Sequence, residues 1–148
     1  MAVAKREVEL LLRIAILLHV RIINATGGVH GVRDEGGLYH SLSKLLSRAD
    51  KGMHPFELCA FAYREFSTRH HFNDGNKRFS HVFAKMTLFG DGFHLSTSYP
   101  QALPVIVQIA DQKLSLSQIR AWLEPNTSEI GKRSITEYFE NIEEDLRK

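Results

Sequence analysis

Residues 70–78 carry the side chains whose types and spacing point most directly to chemistry. They read HHFNDGNKR. Gly75 lets the backbone approach a ligand closely, and the N–H groups that open a following helix form a cradle for anions. Lys77 and Arg78 add positive charge at this helix end, where cations are locally unfavourable, and a local rule broken in this way suggests a site. The segment therefore predicts a phosphate-binding site.

The remaining polar side chains of this segment extend that prediction to catalysis. Asp74 can hold Mg²⁺ against phosphate oxygens, and Asn76 can cap the helix or donate to a phosphate. His70 is available as a general base for a hydroxyl nucleophile. Taken singly, these residues also fit plain roles as helix caps, solvated charges or a surface histidine. Their combination favours phosphoryl or nucleotidyl transfer.

The elements that must position this segment are helices. Residues 3–23 contain neither Gly nor Pro and predict a first helix, and residues 27–37 contain too many glycines for a helix and predict a loop or small flap. A second helix is expected over residues 38–46. A third begins at Pro55 and points its end at the catalytic segment, and a fourth follows with an apolar stripe over residues 79–89.

The rest of the chain continues the helical pattern. Residues 94–99 read as a short polar connection, and two further helices follow before residue 125. Residues 126–148 read as a charged helical extension docked on the body. Strand signals are nearly absent, so the sequence predicts an all-α bundle of six or seven helices with a small Gly-rich flap.

Composition narrows the class of protein further. The chain has 148 residues, which suits one domain, and its net charge of +2 gives no reason to expect direct nucleic-acid binding. The single cysteine, Cys59, excludes an internal disulfide and favours a buried, inert thiol in a cytoplasmic protein. The apolar N-terminal helix is interrupted by Arg13, which argues against a signal peptide or membrane anchor.

The spacing His70-x-Phe72-x-Asp74-Gly75-Asn76-Lys77-Arg78 resembles HxFx(D/E)(A/G)N(K/G)R, the signature of the Fic/Doc family. Residues 27–38 resemble the Gly-rich segment upstream of that signature in Doc (death on curing) members, and residues 114–119 resemble the start of their last core helix. The resemblance implies a Fic/Doc catalytic domain over residues 1–125, an NTP such as ATP bound with Mg²⁺, and modification of a hydroxyl on a target protein.

The resemblance also implies a role for each residue of the signature. His70 would deprotonate the target hydroxyl, Phe72 would anchor the loop in the core, and Asp74 would bind Mg²⁺. The phosphates would be held by four residues, of which the last would stabilise charge in the transition state: Gly75, Asn76, Lys77 and Arg78. The flap would position the target backbone through Gly28, Val29, Gly31, Val32 and Arg33.

Two departures from the pattern of AMP-transferring members, HPFxxGNGRxxR, bear on the reaction. Lys77 replaces a glycine, and His81 replaces the second arginine. Members with this lysine resemble kinases that transfer the γ-phosphate, which favours a toxin of a toxin–antitoxin pair that phosphorylates a Ser or Thr of elongation factor Tu and arrests translation. AMP transfer and a catalytically silent, partner-binding fold remain open. A metal nuclease using His70 and His71 is disfavoured because no carboxylate cluster accompanies them.

The C-terminal extension raises the question of regulation. Thr136, Glu140 and Asn141 fit the family's inhibitory pattern (S/T)xxxE(G/N), in which the glutamate blocks the nucleotide site. The alternative is an ordinary tail helix, packed through Tyr138 and Phe139 or paired with another protomer. Without self-inhibition, the resemblance implies a separate antitoxin. The sequence leaves a homo-oligomer open.

Overall fold

The computed structural model describes residues 4–130 and 135–147 and confirms the all-α prediction. Its described part contains seven α-helices, two short strands and a 3-10 turn at Glu124–Asn126. The elements in chain order are α1 (Lys5–Thr26), α2 (Glu35–Asp50), α3 (Pro55–Thr68), α4 (Asn76–Gly90), β1 (Phe93–Leu95), α5 (Tyr99–Ala110), α6 (Leu116–Leu123), β2 (Thr127–Glu129) and α7 (Ile135–Arg147). The predicted division between residues 125 and 126 stays a prediction.

Helix α3 lies at the centre and packs mainly against α4, with α2, α5 and α6 around it. Pro55 opens α3, where its missing N–H leaves no helical hydrogen bond unmade. Cys59 is buried in this core, and burial raises the pKa of its thiol well above the usual value, as expected of an inert thiol. Phe66 and Phe79 pack edge to face with ring centroids 5.4 Å apart, which joins α3 to α4, and Phe79 also contacts Phe72 of the loop between them.

Helix α2 begins earlier than the glycine content predicts. Gly36 and Gly37 lie in its first turn, so the expected loop ends at Asp34. The Asp34 side chain accepts a hydrogen bond of 2.9 Å from the Gly37 N–H, and a Cβ at Gly37 would lie 2.2 Å from an Asp34 carboxylate oxygen. The prediction was wrong here because glycine permits this close N-cap, which offsets its low helix propensity.

The expected polar connection after α4 instead contains a strand. β1 pairs antiparallel with β2, with His94 opposite Ser128. Strands of three residues are too short to show the alternation that predicts a strand from sequence, which explains why both were missed. This pairing brings the chain back to the body before α7.

Helix α7 docks on the body, as predicted for the tail. Glu143 forms an ion pair with Arg21 of α1, and the Asp145 carboxylate accepts the Tyr99 N–H at 2.6 Å. These contacts place α7 against the end of α1 and the start of α5. The side chains of Thr136, Tyr138 and Phe139 lie outside the described residues.

Helix α1 contributes one face to the core and presents another to solvent. Val8, Ala15 and Ile22 are buried, whereas Leu10 and Leu17 are exposed. Among the described residues, no helix combines the length and the apolar character needed to cross a bilayer.

Candidate active site

The loop between α3 and α4 borders a cleft of about 350 Å³. The cleft is lined by residue 70, residues 73–78 and Tyr99. Gly75 ends the loop in the left-handed region at φ +74°, and a Cβ there would lie 3.0 Å from the Ile23 side chain. Glycine is therefore needed both for the turn and for the close approach to α1. The structure thus brings His70, Asp74 and residues 75–78 to one cavity.

The start of α4 supplies an anion-binding surface to this cleft. No side chain caps the helix, and its first intrahelical backbone bond is donated by Phe79 to the Gly75 carbonyl. The N–H groups of residues 76–78 therefore remain available at the positive end of the helix dipole. This arrangement suits the phosphates of a nucleotide.

The Asp74 carboxylate is held at the edge of the cleft by two backbone N–H groups. Val29 donates to Oδ2 at 3.0 Å and Gly75 donates to Oδ1 at 2.8 Å. These two hydrogen bonds, with the nearby Arg78 charge, hold the pKa of Asp74 below its usual value although desolvation opposes them. Asp74 is therefore ionised at neutral pH.

Asp74 fits a magnesium ion shared with a nucleotide better than a site built from protein ligands alone. Its side chain is 42% exposed, so a hydrated cation can reach the carboxylate. The described residues contain no group of three His, Cys, Asp or Glu placed to hold a metal. Mg²⁺ bound through one carboxylate and substrate phosphates needs no such group.

Arg78 connects the cleft to the end of α1. Its Nη1 donates to the Gly27 carbonyl at 2.7 Å and to the Thr26 hydroxyl, and its Nη2 lies 3.6 Å from Asp74 Oδ1. The carbonyl at the C-terminus of α1 offsets the unfavourable placement of a cation at the start of α4. The guanidinium lines the cleft, and its contact with phosphate stays a prediction.

The Asn76 side chain fixes the loop that carries His70, the predicted base. Its Oδ1 accepts the Phe72 N–H at 3.1 Å, and its Nδ2 donates to the Phe72 carbonyl at 3.0 Å. The Phe72 ring is buried and stacks on the His19 imidazole with centroids 3.9 Å apart. Phe72 thus occupies the core as expected of an anchor, whereas a phosphate contact of Asn76 would require its side chain to leave this clamp.

His70 and Lys77 present their side chains to the cleft. His70 is exposed and its backbone adopts φ +51°, which is uncommon for a residue other than glycine. The neighbouring His71 is buried, with Nε2 2.8 Å from the Ser41 hydroxyl. The two histidines therefore face different surroundings, which leaves the nuclease interpretation without a shared metal site.

His19 contacts the loop of the candidate site, and sequence reasoning missed it. Its Nε2 lies 2.7 Å from the Asp74 carbonyl, and because a carbonyl only accepts, Nε2 carries the proton. Burial lowers the pKa of His19, so the ring stays neutral and positions the loop. The two residues are 55 positions apart in the chain, and no sequence pattern links them. Tyr99, which closes the cleft from α5, was missed for the same reason.

The glycine-rich flap is joined to the catalytic loop along its length. Arg33 and Asp34 donate their N–H groups to the His71 carbonyl at 2.8 and 3.0 Å, and Asn73 donates to the Gly31 carbonyl at 3.0 Å. A single β-bridge also pairs Val32 with Phe72. The predicted flap residues 28–33 therefore lie beside the cleft, and their contact with a target stays a prediction.

Two residues of the inhibitory pattern, Glu140 and Asn141, have described side chains. Glu140 and Asn141 are exposed, and neither is among the described residues that line the cleft. His81, which stands in place of the second arginine, is buried, and its Nδ1 lies 2.7 Å from the Tyr63 hydroxyl. Burial lowers the pKa of His81 well below the usual value, so it offers no charge to a glutamate.

The sequence that carries this site matches a known protein family. The sequence model described as the Fic/DOC family matches residues 9–88, more than half of the chain, and this range contains the flap, the catalytic loop and most of α4. No curated protein matches the chain.

Proposed function

Because the chain belongs to the Fic/DOC family, whose members are generally protein-modifying transferases that use an NTP, we propose that it phosphorylates a Ser or Thr hydroxyl of a target protein with ATP. One observation carries the proposal. The exposed imidazole of His70, the ionised Asp74 and the uncapped start of α4 border the same cleft. These are a base, a metal-binding carboxylate and a phosphate cradle, which phosphoryl transfer requires.

The proposed reaction assigns each step to residues of the cleft. The target hydroxyl oxygen attacks the γ-phosphorus, the bond from that phosphorus to the β–γ bridging oxygen breaks, and ADP leaves. His70 accepts the hydroxyl proton. The N–H groups of residues 76–78 hold the phosphates, and Lys77 adds charge stabilisation. When bound, Mg²⁺ at Asp74 would supply neutralisation of phosphate charge.

Two residues favour γ-phosphate transfer over AMP transfer. Lys77 lines the cleft with a charged side chain where AMP-transferring relatives have glycine. His81 takes the place of their second arginine but is buried against Tyr63 and does not line the cleft. The cleft therefore lacks the cation that the second arginine supplies in AMP-transferring relatives, and it gains Lys77 beside the N–H groups of the first turn of α4. This change of charge supports a nucleotide orientation different from that in AMP transfer.

The target and the control of the activity are also proposals. The resemblance to Doc members suggests elongation factor Tu as the target, with translation arrest as the outcome. Glu140 does not line the cleft, so we propose that a separate antitoxin, rather than the tail, restrains the enzyme.

The test is label transfer from ATP in a cell extract. We expect γ-label, and not α-label, to reach a protein that mass spectrometry identifies. His70→Ala should lower transfer by about 10²- to 10⁴-fold, the usual contribution of a general base. His40→Ala is the matched control, since His40 is exposed on α2 and away from the cleft. Transfer of α-label instead would establish AMP transfer. If no protein in the extract acquires either label, the transferase proposal is refuted.

A further inference from the structure

A second cleft, of about 660 Å³, lies between α2 and α3 and is strongly basic. Lys44 and Arg48 of α2 and Arg64 and Arg69 at the end of α3 line it, against Glu65 as the one acidic residue among its described lining. It is larger than the candidate active site and shares no lining residue with it. Its four cationic side chains and one carboxylate give a surplus of three positive charges, more than the net charge of +2 of the whole chain. Such a concentration of positive charge attracts anions. We call it the basic cleft.

Glu65 organises the basic cleft without neutralising it. Its side chain is 5% exposed, and Oε1 lies 2.5 Å from Lys44 Nζ and 3.4 Å from Arg69 Nε. Burial alone would raise the pKa of Glu65, but hydrogen bonds from Lys44 and Ser41 outweigh it and hold the pKa below its usual value. Glu65 is thus ionised at neutral pH, and its carboxylate pairs with Lys44 Nζ and with Arg69 Nε. The other guanidinium N–H groups are left for a ligand.

The guanidinium group of Arg48 is already oriented for binding. It lies over the Phe61 ring, with the central carbon 4.1 Å from the ring centroid. Stacking fixes the plane of the guanidinium and leaves its edge free to donate two parallel hydrogen bonds. Arg64 lies one helical turn from Phe61 on α3 and makes no ion pair within the described part of the chain. The basic cleft therefore offers pre-oriented donors.

The shape and lining of the basic cleft favour a peptide with several carboxylates. Lys44 and Arg48 are four residues apart on α2 and Arg64 lies opposite on α3, so the cations follow two helices rather than surround a point. Phe61 is only 2% exposed and covered by Arg48, so no aromatic face is available to stack a nucleotide base. An extended chain of Asp or Glu side chains matches this arrangement, because guanidinium binds carboxylate bidentately.

The basic cleft also adjoins the proposed catalytic base. Arg69 precedes His70 in the chain, and the Ser41 hydroxyl that donates to Glu65 also contacts His71. A target that places a hydroxyl at His70 would pass directly by Arg69. We propose that the basic cleft binds an acidic segment of the protein substrate, next to the segment that carries the modified hydroxyl. This inference rests on the proposed function for the identity of the partner, but not for the binding itself.

The first experiment measures binding of a fluorescein-labelled decapeptide of alternating Glu and Gly to the full chain by fluorescence anisotropy at constant ionic strength. The double variant Arg48→Gln/Arg64→Gln should bind about tenfold more weakly, since each partly exposed pair contributes a factor of a few. The control is Arg6→Gln/Arg13→Gln, which removes the same charge from exposed positions of α1. Its affinity should stay within about twofold of wild type because neither arginine lines the basic cleft and exposed charges are screened by salt.

Three outcomes would overturn the proposal. They are no saturable binding of the Glu peptide, equal weakening in both double variants, and binding of inorganic tripolyphosphate to the cleft without binding of the peptide. Arg64→Gln alone separates binding from folding, because Arg64 makes no stacking contact such as that of Arg48 on Phe61. Thermal unfolding of each variant verifies that it is folded.

A second readout separates this proposal from the proposed function. His70→Ala should bind the Glu peptide as wild type does, because His70 lies outside the basic cleft. In label transfer, Arg64→Gln should raise the KM for the target protein several-fold while the KM for ATP is unchanged. Peptide binding without any label transfer would refute the transferase and keep the cleft. Label transfer with an unchanged KM for the target in Arg64→Gln would refute the cleft and keep the transferase.

Discussion

Replacement of Gly28 by Ala should disturb the proposed magnesium-binding carboxylate while leaving Asp74 itself unmutated. Gly28 adopts φ +116°, and a Cβ there would lie 2.4 Å from Asp74 Oδ2 and 3.2 Å from Arg78 Nη2. The first of these distances is roughly 1 Å shorter than a normal non-bonded contact. The Asp74 carboxylate must therefore move, and it loses the hydrogen bond from the Val29 N–H.

Gly27→Ala is the matched control for this change. Gly27 has φ +87°, and a Cβ there would meet no atom within 4 Å. Both substitutions place alanine in a backbone region that favours glycine, which costs about 1–3 kcal/mol each. Gly28→Ala also loses a partly exposed hydrogen bond, worth about 1 kcal/mol. Since 1 kcal/mol shifts the Tm of a protein of this size by about 2–4 °C, Gly28→Ala should melt a few degrees below Gly27→Ala.

Calorimetric titration with ATP, with and without Mg²⁺, separates the effect on the site from the effect on stability. We expect Gly28→Ala to weaken binding of Mg²⁺-ATP by at least about tenfold, or 1.4 kcal/mol, and to change binding of metal-free ATP little. Gly27→Ala should leave both affinities near wild type. Equal Mg²⁺-ATP affinities in the two variants would refute the argument that the flap holds Asp74 in place for the metal.

Three further predictions concern the loop and the buried histidines. Asn76→Ala removes both hydrogen bonds to the Phe72 backbone and should lower the free energy of unfolding by about 1–3 kcal/mol in urea titrations, with faster amide exchange at Phe72. His19→Phe keeps an aromatic ring against Phe72 but loses the bond to the Asp74 carbonyl, and should slow label transfer more than it lowers Tm. Because burial lowers the pKa of His81, the unfolded chain binds a proton that the native state excludes, so stability falls as pH drops below about 6.5. His81→Gln should reduce that slope by up to about 1.4 kcal/mol per pH unit in unfolding measured from pH 7 to 5.

The helical fold could be predicted because its signals are local. Apolar spacing, Pro55 at the start of α3 and Gly75 before α4 each act within a few residues of the helix end that they define. The error at the start of α2 occurred because a contact overrode a local preference. Gly36 and Gly37 entered α2 because Asp34 caps it closely.

The sequence predicted which residues form the candidate site but not which contacts they make. The signature identified residues 70–78, and the structure gathers most of them at one cleft. The signature could not indicate that Asn76 turns back onto Phe72, which depends on the conformation of the loop. Nor could it indicate that His19 reaches the Asp74 carbonyl, which depends on how the loop packs on α1. The basic cleft escaped notice because its cations are spread from residue 44 to residue 69 without a linear pattern.

The flap and the catalytic loop are best understood as one coupled unit. The same segment that pairs with residues 71–73 also supplies, through Val29, the N–H group that holds Asp74. A target that shifted the flap would therefore also shift the carboxylate, and a metal bound by the carboxylate would in turn act on the flap. Coupling of this kind is reciprocal, so we predict that the proposed binding of a target and of Mg²⁺-ATP would each change the affinity for the other by the same factor. Val29, a residue that is 61% exposed, is where we expect a target to exert this effect.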